Sequence, residues 1–218
     1  MKLTRKTTLA PAILAILIGS TTPVYAQHAD HEATTASSAS KVEQTGAALR
    51  DLWIGHVFWV RNVAASTLEG NTLAAAAAEN EVVANARQIA AAIEPYYGKP
   101  ASDKLFGLLA GHYGAVKQYL AATAAGSKVQ QDAATQALTA NAAEIATFLS
   151  SANPNLPFDT LNGLLLAHGG HHIQEIQQLK GKQYAEEAKT WEAMKKHMYV
   201  IADALAGAIA KQFPAKFS

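Results

Sequence analysis

Apolar residues in this chain recur three and four positions apart over long stretches, and the whole pattern returns twice more at one constant interval. Leu49, Leu52, His56, Trp59 and Val63 fall on one helix face, as do Val82, Asn85, Ile89 and Ile93. His56, His112 and His168 are evenly spaced, each preceded by leucines seven and four positions earlier: Leu49 and Leu52, Leu105 and Leu108, Leu161 and Leu164. A second series, Asn85, Asn141 and His197, keeps the same interval, with Ile89 and Ile93, Ile145 and Leu149, Ile201 and Leu205 at the fourth and eighth positions beyond. Such a period is the mark of one supersecondary unit used three times.

Breakers fall where such units need turns. Gly70-Asn71, Gly126-Ser127 and Gly181 interrupt the units, while Pro95 to Pro100 and Asn153 to Pro157 separate them. The pattern predicts six helices at roughly 44–68, 72–94, 101–125, 128–151, 159–180 and 183–211. The expected fold is all-α: three repeated antiparallel helical hairpins, residues 42–98, 99–156 and 157–218, packed as one compact bundle. At about 1.5 Å per residue, His56 and Asn85 each lie about 21 Å from the Gly70 turn, so they share a level in the hairpin. His112 and Asn141 have the same relation to Gly126, and His168 and His197 nearly so to Gly181. Closure around a threefold axis would bring all six together; an open stack would keep three separate pairs.

The N-terminus changes the picture of where the protein works. Lys2, Arg5 and Lys6, the apolar stretch Leu9–Ile18, and Val24-Tyr25-Ala26 read as a signal peptide over residues 1–26, implying a periplasmic or secreted protein. Residues 27–41, rich in Ala, Ser and Thr without apolar periodicity, read as a flexible leader; its His28 would stand second after cleavage, where copper(II) can bind. No later stretch is long and apolar enough for a membrane span. Removing the signal takes three of 18 basic residues and no acidic ones, leaving 15 against 17, a charge of −2 that gives nucleic acid no foothold. The absence of cysteine excludes disulfides, thiolate metal sites and covalently attached haem.

The polar positions carry the candidate chemistry. In the first two hairpins, His56–Asn85 and His112–Asn141 read as pairs that satisfy each other and fix register, because Asn is a poor transition-metal ligand. The third hairpin departs toward histidine: Asn gives way to His197, and His168 heads the run Gly169-Gly170-His171-His172, with Glu175 further along. His168, His172 and Glu175 share one helix face. Facing His197, and with His171 as an alternative, they form a candidate site for copper, zinc or nickel, to which His56 and His112 contribute if the hairpins close. The rival readings are a metal-free bundle binding a small ligand or a protein, its His/Asn layer structural, and a non-covalent haem protein or His-dependent enzyme. No hydrolytic or nucleotide-binding motif is present, so an enzyme is the less favoured reading.

Three further stretches carry a resemblance: Leu52-Trp53-Ile54-Gly55-His56-Val57-Phe58-Trp59-Val60-Arg61, Glu94-Pro95-Tyr96-Tyr97-Gly98, and Lys211-Gln212-Phe213-Pro214-Ala215-Lys216-Phe217. Together they resemble an uncharacterised family of small helical bacterial proteins with L-W-x-x-H-V-x-W-T-R, E-P-[FY]-Y-G and K-Q-F-P-x-K-F at similar spacing. The resemblance implies the same fold and brings no activity. His56, Asn85, His112, Asn141 and His168 match its positions; the His168–His172 cluster and His197 depart from it.

Overall fold

A computed structural model describes residues 29–218, with side chains from Lys41 onward; residues 1–26, which read as a signal peptide, and His28 lie outside the described residues. The described chain is all helical. Six long helices, α1 (Ala29–Leu68), α2 (Thr72–Ala92), α4 (Lys99–Ala125), α5 (Lys128–Ala152), α6 (Phe158–Lys180) and α7 (Tyr184–Gln212), are joined by short turns, with a single-turn α3 (Glu94–Tyr97) between α2 and α4.

The sequence-based boundaries hold except near proline and at the start of α1. Pro95 and Pro100 are expected to separate helices, yet each sits in the first turn of one, α3 and α4. There a missing N–H costs nothing, since the first-turn amides have no intrahelical acceptor. At its other end α1 begins at Ala29, inside the stretch that reads as a leader. The turns repeat as well: Gly70, Gly126 and Lys182, evenly spaced along the chain, all have positive φ (77°, 72° and 54°). The third turn is expected at Gly181, but that glycine stays right-handed at φ −79°, and the left-handed residue is the lysine at the recurring position.

The helices pack as a closed ring. α1 lies against α2, α2 against α4, α4 against α5, α5 against α6, α6 against α7, and α7 returns to α1. Within the ring α1, α4 and α6 also touch one another, so the first helix of each segment lines the axis. That closure follows from burial: α1, α4 and α6 carry apolar residues over more than one stripe and need partners on several sides.

Two apolar clusters fill the interior. One contains Leu49, Trp53, Leu105, Leu109, Leu161 and Leu165 with Ile89, Ile145 and Ile201. The other contains Val60, Val63, Val116, Tyr119, Leu120 and Ile176. In sequence, His56, His112 and His168 fall between the two sets on every axial helix. Beyond the first cluster, the Glu94–Gly98 turn meets the C-terminal tail: Tyr96 stacks on Phe217 at 5.9 Å, and Lys216 Nζ donates to Pro95 O at 2.9 Å. Two of the three motifs that carry the family resemblance therefore touch.

Candidate metal centre

Each of the three axial helices delivers one histidine to the same place. The ring centroids of His56 and His112 are 5.8 Å apart, those of His56 and His168 5.5 Å, and those of His112 and His168 5.1 Å. His172, one helical turn beyond His168 on α6, completes a tetrad, with centroids 4.5 to 5.8 Å from the other three. All four are buried, at 1 to 5% exposure. One nitrogen from each can be chosen so that all four lie within 4.8 Å of one another. Trp53 stands edge-on to His56 and His168, at 6.0 and 6.5 Å, and walls one side.

The second series does something other than expected. Asn85 and Asn141 do not pair with His56 and His112. Asn85 Nδ2 donates to Leu52 O at 2.9 Å, Asn141 Nδ2 to Leu108 O at 3.0 Å, and His197 Nε2 bonds Leu164 O at 2.8 Å. Each acceptor is the carbonyl four residues before the histidine, whose second lone pair is free to take a bond besides the helical one. Glycine opens the way: a Cβ at Gly55 would stand 2.9 Å from Asn85 Nδ2, and one at Gly111 3.0 Å from Asn141 Nδ2. The third segment has Ala167 in that place and the longer imidazole of His197 opposite it.

These bonds free the tetrad's imidazoles from any structural task. His56 Nε2, His112 Nε2, and both ring nitrogens of His168 and His172 are buried without a hydrogen-bond partner. Burial holds all four imidazoles neutral, because a charged ring would be stripped of solvation. It pushes His56 down to about 3, helped by His112, and His112 down to about 4. His168 and His172 are also held well below the usual range, first by burial and then by neighbouring histidines. Neutral imidazoles with available lone pairs are the form that binds a metal.

Four buried histidines this close together can hold a metal ion. A tetrahedral ion with bonds of about 2.0–2.1 Å would set its nitrogens about 3.3 Å apart. The nitrogens, within 4.8 Å of one another, would draw together by up to about 1.5 Å on loading. Haem finds no support, because four rings at mutual centroid distances of 4.5 to 5.8 Å leave no slot for a porphyrin between facing imidazoles.

The other sequence candidates lie around this group. His171 and His197 face each other at 5.5 Å as a half-buried pair outside the tetrad. Glu175, 1% exposed, also stands outside it and turns to Arg61, whose Nε is 3.8 Å from Oε1. Arg61 is held in turn by buried Glu187, with Nη2 to Oε2 at 2.8 Å. Burial first, then repulsion from Glu187, pushes the Glu175 carboxyl up to about 8. Arg61 and Glu187 are not legible in sequence as part of this surrounding, since 126 residues separate them. Met194 and Met198, fully buried in the first cluster, are core residues. No family model, curated protein or solved structure matches the chain.

Proposed function

We propose that this protein binds one transition-metal ion, zinc, copper or nickel, in the tetrad His56, His112, His168 and His172, and that it sequesters or delivers that ion after export to the periplasm. The observation carrying this reading is the set of six buried imidazole nitrogens on four clustered side chains, none with a hydrogen-bond partner. Each orphaned group costs on the order of 1–3 kcal/mol. A layer kept only for fold specificity would have its nitrogens paired, as Asn85 and Asn141 Nδ2 are paired to carbonyls while only their Oδ1 atoms stay unpaired. Imidazole-only coordination suits zinc, copper and nickel and gives calcium or magnesium nothing to hold.

The architecture behind the site is read as three antiparallel hairpins, each giving the tetrad a histidine from its first helix. The equal spacing of the three inter-helix bonds, 33 residues each, supports that arrangement. A bound dication would bring two positive charges into the core, where the buried carboxyl groups include Glu175 on α6, the helix of His168 and His172, and Glu187 on α7, which pairs with Arg61. The small-ligand alternative is weaker. Inside the bundle, the apolar chamber bounded by Trp53, Leu109, Leu165 and Ile201 has a volume of about 30 Å³, too small for an organic molecule.

Metal analysis of tag-free protein, with titration of the chelator-treated protein by zinc, copper(II) and nickel, tests the proposal. One equivalent bound in the parent, and none in His112→Ala or His168→Ala, is the expected result; equal binding in those variants would overturn it.

A further inference from the structure

Besides the tetrad, the third segment holds two more histidines where the other segments have none. His171 occupies the position of Trp59 and Ala115, His172 that of Val60 and Val116, and His197 that of Asn85 and Asn141. All three departures are to the same residue and lie in one sector, on α6 and α7. One of them, His172, supplies the tetrad's fourth ligand. The other two meet ring to ring at 5.5 Å and are half-buried, between solvent and the buried group.

We infer that His171 and His197 form an outer docking pair that receives a transition-metal ion from solvent and passes it to the buried tetrad. The inference rests on the tetrad reading and adds the route by which an ion gets there. Helix geometry makes the route short: His171 follows His168 by three residues on α6, and His168 is in ring contact with His172, four residues on, at 4.5 Å.

The chemistry of His197 fits a temporary ligand. Its Nε2 bonds a carbonyl, which only accepts, so Nε2 carries the proton and the lone pair remains on Nδ1. Two imidazoles bind an ion more weakly than four, so an ion caught by the pair gains by moving inward.

The test uses cobalt(II), whose visible spectrum reports tetrahedral coordination, added to metal-free full-length protein in a stopped-flow instrument at pH 7. Two variants remove the pair's imidazoles: His171→Ala, and His197→Asn combined with Ala167→Gly, which restores the Gly/Asn combination of the other segments and keeps the bond to Leu164 O. The expected result is an unchanged final spectrum, with loading and extraction by a chelator both slowed about tenfold, so that affinity stays the same. Parent and variants loading equally fast would overturn the docking pair alone. Loss of the tetrahedral spectrum in the variants would also overturn it, by making the pair part of the final site. A parent that never gains the spectrum would bring down the tetrad reading itself.

Discussion

The first two segments and the third use equivalent positions for opposite ends. Where residues 42–98 and 99–156 place Val60 and Val116 one turn beyond their histidine, and Val63 and Tyr119 nearly two turns beyond, the third places His172 and Glu175. The valines and the tyrosine join the second apolar cluster, whereas the third segment adds only Ile176 and Leu179 to its buried set. In that layer two segments therefore contribute ordinary apolar packing, while the third puts buried polar groups there and gives its apolar residues mainly to the first cluster. Proteins place such costly groups where function requires them and stabilise the fold elsewhere. The comparison teaches that His56 and His112 gain their chemical meaning from the segment that departs from the pattern.

Acid should expose this cost most strongly. The four imidazoles are neutral in the fold and have an ordinary value of 6.5 when unfolded, so their stabilising effect is complete above about pH 6.5 and lost as pH falls toward their folded values, about 3 for His56 and about 4 for His112. Each contributes a slope of about 1.4 kcal/mol per pH unit. Glu175, raised from 4.5 to about 8, has the opposite sign, its penalty growing as pH rises through that window. Four groups less one leave about 4 kcal/mol per unit between pH 6.5 and 4.5. Metal-free protein should therefore unfold near pH 5, which circular dichroism would follow; stability that stays level from pH 7 to 5 would contradict the buried neutral tetrad.

Making the third segment like the others is the next largest test. His172→Val should lower affinity for zinc on the order of 100-fold. It should also raise the stability of the metal-free protein by about 1–3 kcal/mol, because an orphaned buried ring is replaced by an apolar side chain. Competition titration and thermal unfolding read the two effects. A variant that is less stable and binds as tightly would dissolve the distinction between the segments.

The Gly/Asn and Ala/His combinations can be exchanged. Gly55→Ala should cost about 1–3 kcal/mol, since its Cβ would press on Asn85. Gly114→Ala, where a Cβ meets nothing within 4 Å, should instead gain about 0.5–1 kcal/mol from helix propensity. Adding Asn85→His to Gly55→Ala should recover most of the loss, and a double-mutant cycle by denaturant unfolding measures that coupling. Additive losses would mean that the two combinations are unrelated. Smallest of all, Asn141→Ala should cost about 1 kcal/mol for its bond to Leu108 O and leave zinc affinity unchanged.

Much of this is legible along the chain, for reasons that differ from residue to residue. Helix existence follows from the three-and-four spacing around Leu49 or Ile89, because that spacing is fixed by helix geometry. The left-handed turn at Lys182 is hidden by Gly181, whose presence one position away makes it the better candidate on sequence grounds. The partner of Asn85 is hidden too: its height in the hairpin matches His56, but height cannot say which way an amide points around the helix.

By itself, the sequence determined that the protein is helical, that its pattern recurs at a constant interval, and that its third segment carries extra histidines. Periodicity and composition act locally along each helix, so they can be read in one dimension. Only the tertiary structure decided which histidines meet. His56, His112, His168 and His172 converge because α1, α4 and α6 share the bundle axis, whereas His197, half-buried on α7, meets His171 instead. Convergence depends on ring closure and on the rotation of each helix about its own axis. Both are set by the packing of all six helices at once, which no stretch of sequence contains.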